Sequence, residues 1–132
     1  MHEAFIGSST RKIFHVTEAA INSFAEVSGD RNPVHLDASY AATTVFKRKI
    51  AHGMYVGSLI SAVLAGELPG PGTIYLSQTI NFRKPIYVGE TVEVCVTVNK
   101  EIKPNIFELT TNCFDCNGAI ALEGIAVVKY VC

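Results

Sequence analysis

The chain has 132 residues, a formal net charge of −1, and 48 % apolar against 17 % charged residues. This length and composition suit one compact domain over residues 1–132 with a sizeable core, and they exclude a largely disordered chain. The sequence lacks the basic stripe of a nucleic-acid binder, and its apolar runs are interrupted too early to span a bilayer. We therefore expect no nucleic-acid partner and no membrane insertion.

The N-terminal third predicts one strand and two helices. Arg11–Val16 is short and partly alternating, as in a strand. Thr17 is a suitable N-cap for a helix over Glu18–Val27, whose apolar positions share one face. Gly29 ends this helix, since glycine is preferred just past a helix C-terminus. A second, short helix is predicted over Ala38–Val45.

The rest of the chain predicts a long helix followed by strands. The helix runs from Ala51 to about Ala65 and is apolar nearly all round, which indicates burial on every side. Strands are predicted at Thr73–Phe82, Thr91–Asn99, Asn105–Asp115 and Ala119–Val131, with Asn117–Gly118 as a hairpin turn. This order predicts an α+β fold in which an antiparallel meander wraps around the helix. Exposed sheet edges would need cover, and a second subunit is a common solution.

The loop from Asp30 to Asp37 holds the most informative pair of residues. Asp30 and His35 can both transfer protons near neutral pH, and Asn32–Pro33 fix the bend between them. Taken alone, Asp30 is ordinary turn chemistry and His35 is more often structural. Together, and followed by a glycine at the start of a buried helix, they favour an acid–base site. Asn32 is expected to hold the loop, and Asp37 to cap the next helix.

Three blocks of the chain resemble one known family. Ser28–Asp37 is similar to the hydratase-2 motif of the MaoC-like hot-dog enzymes, the (R)-specific enoyl-CoA hydratases. Ala51–Met54 resembles the family's second block, at the start of the central helix. Asn81–Pro85, with Val88–Glu90, resembles a third block that is shared more widely among hot-dog proteins. The resemblance extends over almost the whole chain and is strongest to the short, single-hot-dog members that supply polyhydroxyalkanoate synthesis.

The resemblance implies a homodimer of hot-dog subunits, each with a bent antiparallel sheet wrapped around a long central helix. The implied activity is reversible (R)-specific hydration of a trans-2-enoyl-CoA, with the coenzyme A thioester as substrate and no metal or other cofactor. The family's catalytic pair corresponds to Asp30 and His35, its backbone oxyanion donor to Gly53, and a helix serine near the pair to Ser61.

The chemistry of these residues fits that activity. Water must lose a proton as it attacks C3, C2 must receive one, and charge on the thioester oxygen must be stabilised. Asp30 and His35 can hold one water between them and move both protons. The Gly53 N–H lies in the first turn of the helix, where it lacks an intrahelical acceptor, and the missing Cβ would let an oxygen approach. His52, just before it, is expected to pack at the helix start.

Four further residues are candidate substrate contacts. Met54 and Ser61 lie on the long helix, although Ser61 could instead bond back to the carbonyl of Gly57. Arg83 and Lys84 could meet the phosphates of coenzyme A, although exposed loop cations are usually just solvated. Acyl-chain length would depend on pocket depth, which we expect the long helix and its C-terminal end near Leu64 and Leu68 to set.

The cysteines indicate a reducing compartment. Cys113 and Cys116 form a CxxC, but no second CxxC and no histidine lies nearby, and a strand would point the two to opposite faces. Buried free thiols are the expected state. No secretory signal is visible in Met1–Thr10, so the expected location is the cytoplasm, or the mitochondrial matrix if a transit peptide was removed from a longer precursor.

Three rival functions stay open. A 3-hydroxyacyl-acyl-carrier-protein dehydratase would run the same chemistry in reverse on a carrier, with the same catalytic residues. A hot-dog thioesterase would release a free thiol. A non-catalytic acyl-thioester-binding subunit would bind an enoyl-CoA without consuming its conjugated double bond.

Overall fold

A computed structural model describes residues 6–131; residues 1–5, within the segment searched for a secretory signal, and Cys132 lie outside the described residues. The fold is one five-stranded antiparallel sheet with a long helix packed on it, which confirms the α+β hot-dog prediction. The strands are β1 (Ser9–His15), β2 (Thr73–Phe82), β3 (Thr91–Lys103), β4 (Ile106–Phe114) and β5 (Ile120–Tyr130).

The strand order is β1-β3-β4-β5-β2, so only β3, β4 and β5 form a meander. The expected meander of all four later strands is wrong for β2, which pairs with β5 and forms an edge of the sheet. β1 pairs with β3 and forms the other edge. The chain therefore crosses the sheet between the end of β2 and the start of β3.

Strand β3 is longer than its predicted range of Thr91–Asn99. Its first half alternates as predicted, and its four valines are at most 1 % exposed: Val92, Val94, Val96 and Val98. Beyond Asn99 the residues are charged apart from the exposed Ile102, but pairing with β4 continues through two register shifts as far as Lys103. Hydrogen bonds to a neighbouring strand, and not burial, stabilise this end of β3. Hydrophobic alternation therefore could not predict it.

The helices are α1 (Glu18–Ser28), α2 (Pro33–Leu36), α3 (Ala38–Ala42) and α4 (Gly53–Gly66). Thr17 caps α1 through its hydroxyl, and Gly29 ends α1 with φ of 80°, as predicted. The single turn α2 was expected to be loop. It forms because the Asn32 side chain accepts from the Val34 N–H and Pro33 occupies the first turn.

Helix α3 ends at Ala42, three residues earlier than predicted. The hydroxyls of Thr43 and Thr44 donate to the carbonyls of Tyr40 and Ala41, which closes the helix. Its predicted N-cap is confirmed, since the Asp37 carboxylate accepts from two amides of the first turn.

The core lies between α4 and the sheet, where the buried face of α4 meets the inner face of β3, β4 and β5. The expectation that α4 is buried on all sides is wrong for the single chain. Met54 is 59 % exposed, and Ser58, Ala62 and Ala65 are exposed along the same face. Within residues 6–131, no helix has both the length and the apolar character of a membrane crossing.

Candidate active site

The end of α1 places Asp30. The Asp30 N–H donates to the Ser28 hydroxyl at 3.1 Å, and its own Oδ1 accepts from the Asn32 N–H at 3.2 Å. These two bonds make a tight turn directly after the left-handed Gly29. The carboxylate is thus held by its own loop, while the residue stays exposed in the single chain.

His35 projects from α2 and is only 9 % exposed. Its Nδ1 lies 2.7 Å from the Ile50 carbonyl, which can only accept, so Nδ1 carries the proton and Nε2 keeps a lone pair in the neutral ring. Burial lowers the pKa of His35, and His52 lowers this pKa further, whereas the Ile50 carbonyl and Asp30 act in the opposite direction. The net shift is downward, so His35 is neutral near pH 7.

Asp30 and His35 converge without touching. A carboxylate oxygen of Asp30 and one ring nitrogen each of His35 and His52 lie within 4.8 Å of one another. No direct hydrogen bond or ion pair joins Asp30 to His35 among the described residues. Two hydrogen bonds of about 2.8 Å from a single water, at a near-tetrahedral angle, span about 4.6 Å. The two groups are therefore close enough for one water to bridge them.

Gly53 begins α4, and no backbone carbonyl within residues 6–131 accepts from its N–H. This amide and the helix dipole provide a place for developing negative charge. The expected reason for glycine needs correction. A Cβ at Gly53 would lie 2.7 Å from a ring carbon of Phe82. The space that the missing side chain leaves is therefore occupied by this ring.

One cavity of about 470 Å³ joins Asp30, His35 and Gly53. Its apolar wall includes Phe46, Ile50, Val56, Ile86, Ala121 and Leu122. The long helix lines the cavity through its first turns, but the expectation that its C-terminal end near Leu64 and Leu68 would set the pocket depth is wrong, since neither leucine lines the cavity. The wall residues come from distant parts of the chain, and no local sequence signal identified them.

The other predicted contacts divide into two groups. Met54, Arg83 and Lys84 line the same cavity. Arg83 is paired with Glu123 at 2.5 Å, whereas Lys84 has no ion pair among the described residues. Ser61 is half-buried and does not line the cavity, and its hydroxyl bonds neither the Gly57 carbonyl nor Asp30 or His35.

The cluster of Asp30, His35 and His52 has metal-binding residue types, but its geometry fits a metal poorly. His35 Nδ1 and His52 Nε2 are each engaged with a backbone carbonyl. The two rings also stack, with centroids 4.0 Å apart and planes at 32°. Metal ligands need in-plane lone pairs directed at one point, and stacked rings direct theirs side by side.

The CxxC does not form a site either. Cys113 is buried, and burial raises the pKa of its thiol to about 12. Cys116 is exposed in the turn that follows β4, so the expectation of a buried thiol on the same strand is wrong for this residue. The three described cysteines are free.

The fold and the site together define a hot-dog protein in which a carboxylate, an imidazole and a helix N-terminus line one cavity. Residues 7–112 match the model of the MaoC-like domain, and the chain belongs to this family. It is 47 % identical to an (R)-specific enoyl-CoA hydratase of Aeromonas caviae over 94 % of this chain and 93 % of that protein. Both family and fold predictions are confirmed.

The chain is also similar to a solved hydratase structure and to a plant dehydratase. The solved structure of an (R)-hydratase from A. caviae, described as involved in PHA biosynthesis, superposes with a TM-score of 0.93 and 42 % identity and covers 96 % of both chains. A mitochondrial 3-hydroxyacyl-[acyl-carrier-protein] dehydratase of Solanum lycopersicum is 32 % identical over 92 % of this chain and 74 % of that protein.

Proposed function

We propose that this chain is a hydro-lyase that catalyses the reversible (R)-specific hydration of trans-2-enoyl-CoA to (R)-3-hydroxyacyl-CoA. The observation that supports it best is the placement of Asp30, His35 and the Gly53 N–H around one cavity. The high identity to a named hydratase over nearly the whole of both chains supports the same reaction.

In the proposed reaction, one water lies between the Asp30 carboxylate and His35 Nε2. The pair takes a proton from this water as its oxygen bonds to C3 of the enoyl thioester. The C2–C3 double-bond electrons move toward C2 and the thioester oxygen, and the Gly53 N–H stabilises the charge that develops there. The pair then returns the proton to C2, so that water is added across the double bond and no other reactant is consumed.

The protonation state of His35 supports this role. With Nδ1–H donated to Ile50, the free Nε2 can only accept while the ring is neutral. Burial, the largest effect, lowers the pKa of His35 and keeps Nε2 unprotonated at neutral pH. Acid–base chemistry of this kind typically contributes about 10²–10⁴-fold to the rate. We propose that no metal or redox cofactor takes part.

The cavity separates the two ends of the substrate. Its apolar wall suits the acyl chain, while Arg83 and Lys84 line it as well and suit the phosphates of coenzyme A. Lys84 is the better candidate, because Glu123 already neutralises much of the Arg83 charge. Of the two helix candidates, only Met54 lines the cavity, so we keep Met54 and not Ser61 as a proposed substrate contact beside Lys84.

Two exposed surfaces support a homodimer. β2 is an edge strand that is exposed or half-buried along its whole length, with Ile74 and Leu76 at least 50 % exposed. The outer face of α4, which begins with Met54, is exposed too. A long, apolar edge strand needs cover, and pairing with a second copy provides it. Light scattering coupled to size-exclusion chromatography should give twice the mass of 14.3 kDa.

The relative named as an acyl-carrier-protein dehydratase supports a second candidate function, dehydration of a carrier-bound 3-hydroxyacyl group. Initial rates on matched CoA and carrier-protein thioesters distinguish the two candidates. We also propose a cytoplasmic location, because three free cysteines fit a reducing compartment.

The test of the proposed function uses purified protein with crotonyl-CoA. We expect the ultraviolet absorbance of the conjugated thioester to fall and the product to be the (R) isomer on a chiral column. A thiol reagent in a parallel reaction should detect no released coenzyme A. Binding without loss of the double bond, or release of free thiol, would contradict the proposal.

A further inference from the structure

His52 is one of the largest fully buried side chains of the molecule, at 1 % exposure. Its Nε2 lies 2.9 Å from the backbone carbonyl of Asp30. Its Nδ1 is buried and has no hydrogen-bond partner among the described residues. A carbonyl can only accept, so Nε2 carries the proton and Nδ1 keeps an unused lone pair. A buried nitrogen without a partner costs free energy, so packing alone does not explain a histidine here.

The His52 ring also contacts His35, the second residue of the proposed catalytic pair. It stacks on His35 at 4.0 Å between centroids, with 32° between the planes. Phe24 packs against it at 4.9 Å and 57°. The His35 ring is therefore located by two neighbours, the Ile50 carbonyl at Nδ1 and the face of His52.

The backbone of His52 completes the connection. His52 is the N-cap of α4, and its carbonyl accepts from the Tyr55 and Val56 amides. The next residue is Gly53, whose N–H is the proposed oxyanion donor. One residue thus touches the Asp30 backbone, the His35 ring and the start of α4.

We infer that His52 is a positioning residue that sets the relative placement of Asp30, His35 and the Gly53 amide. This inference rests on the proposed hydration reaction, in which the three groups act on one water and one thioester. Small displacements of reacting groups are costly, since about 1 Å of misplacement can lower a rate by about 10²-fold.

The pKa of His35 depends on the charges around this ring. This pKa is therefore a readout that a role in packing alone would not change. Asp30 and His52 are the titratable groups that act on it, and Arg83 and Lys84 line the same cavity. After burial, the largest cause, His52 contributes to lowering the pKa of His35. Removing the His52 ring should therefore raise this pKa, because both the charge effect and the cover of the ring are lost.

Two substitutions separate the two contacts of His52. His52→Phe keeps a ring against His35 but removes the donor to Asp30, and we expect kcat to fall about 10- to 100-fold with little change in KM. His52→Gln keeps an N–H donor but removes the ring. We expect a smaller loss in kcat and a shift of the acidic limb of the kcat/KM profile to higher pH. Val63→Ala in the buried face of α4 is the control, which should lower Tm without moving the profile.

A second measurement does not depend on turnover. Titration of His35 by NMR should give a higher pKa in His52→Gln than in the wild type. If the wild type hydrates no enoyl-CoA, the proposed function fails, but this titration still tests the coupling of His52 to His35. In the wild type, nitrogen-15 shifts should identify His52 as the Nε2–H tautomer, a result that needs no variant to fold.

Three results would overturn the inference. The first is a wild-type kcat in His52→Phe with an unmoved pH profile in His52→Gln. The second is an unchanged His35 titration after loss of the His52 ring. The third is an Nδ1–H tautomer of His52, since this ring could not donate to the Asp30 carbonyl.

Discussion

Strands β3 and β4 meet the core through apolar side chains that are almost fully buried, whereas the segment from Ser28 to Gly53 is held by polar bonds to the backbone. In the sheet, many similar contacts share the stabilisation, and no single one defines the geometry. In the segment, Asp30, His35 and His52 each depend on one or two bonds with a specific partner. The comparison predicts that substitutions in the sheet change stability, and that substitutions in the segment change the rate.

The largest expected effect is on the rate, at the proposed catalytic pair Asp30 and His35. Asp30→Asn keeps an acceptor for the Asn32 N–H but loses the basic carboxylate, and His35→Gln loses the imidazole. We expect kcat on crotonyl-CoA to fall by about 10²–10⁴-fold in each variant, with Tm close to the wild type. Comparison of turnover and thermal melts checks this, and a wild-type rate in either variant would contradict the assignment.

The next effect is on stability, in the sheet. Leu109 in β4 is fully buried, so Leu109→Ala should lower the free energy of unfolding by about 2–5 kcal/mol. The rate per folded molecule should stay near the wild type. Urea unfolding measures the loss, and Val45→Ala at an 84 % exposed position is the control, expected within about 0.5 kcal/mol. A large fall in the kcat of folded Leu109→Ala would contradict the expectation that substitutions in the sheet change stability and not the rate.

The start of α4 lies between the two regions and should show an intermediate effect. The methyl group of Gly53→Ala would meet the Phe82 ring at 2.7 Å while the N–H is retained. We expect kcat to fall on the order of 10-fold, because the ring must move within the cavity. In a background that already carries Phe82→Ala, Gly53→Ala should lower kcat less than it does in the wild type. An equal fall in both backgrounds would show that the ring is not the cause.

The pH dependence of the rate and of the stability should follow the protonation of His35. Only the neutral ring offers the Nε2 lone pair, so activity should be lost as pH falls, with a midpoint below the ordinary value of 6.5. The folded chain binds fewer protons at His35 than the unfolded chain between the two pKa values, so stability also decreases as pH falls through this window. Rate profiles and melts between pH 5 and 8 check both, and a midpoint above 6.5 would contradict the burial argument.

The smallest expected effect is at the mouth of the cavity. Lys84→Ala should raise KM for the CoA thioester by up to about 5-fold, because an exposed charge contributes roughly 0.2–1 kcal/mol. The effect should disappear with a pantetheine thioester and weaken at high salt. Lys103→Ala, at an exposed position that does not line the cavity, is the matched control. An equal change in both variants would argue against a phosphate contact.

The sequence predicted much of this molecule because its signals are local. The N-cap at Thr17, the helix end at Gly29 and the alternation from Val92 to Val98 depend on neighbours in the chain, and all three are confirmed. The place of β2 at the sheet edge was missed because strand order depends on long-range pairing. The last four residues of β3 were missed because hydrogen bonds, not burial, hold them.

The site shows the same division. Asp30 and His35 belong to one short loop, so the sequence could indicate that they act together. The contact of Phe82 with Gly53 and the bond of His52 to the Asp30 carbonyl join residues far apart in the chain. His52 was expected to pack at the helix start, although it belongs to the second family block, Ala51–Met54, and a histidine is an unusual choice next to an apolar helix.

In the proposed reaction Asp30 and His35 act as a unit on one water, and a double-variant cycle measures whether they do. With crotonyl-CoA, the double variant Asp30→Asn/His35→Gln should be about as slow as the slower single variant, because either loss already disables the pair. If the two losses instead multiply, the residues act independently and the shared-water account is wrong.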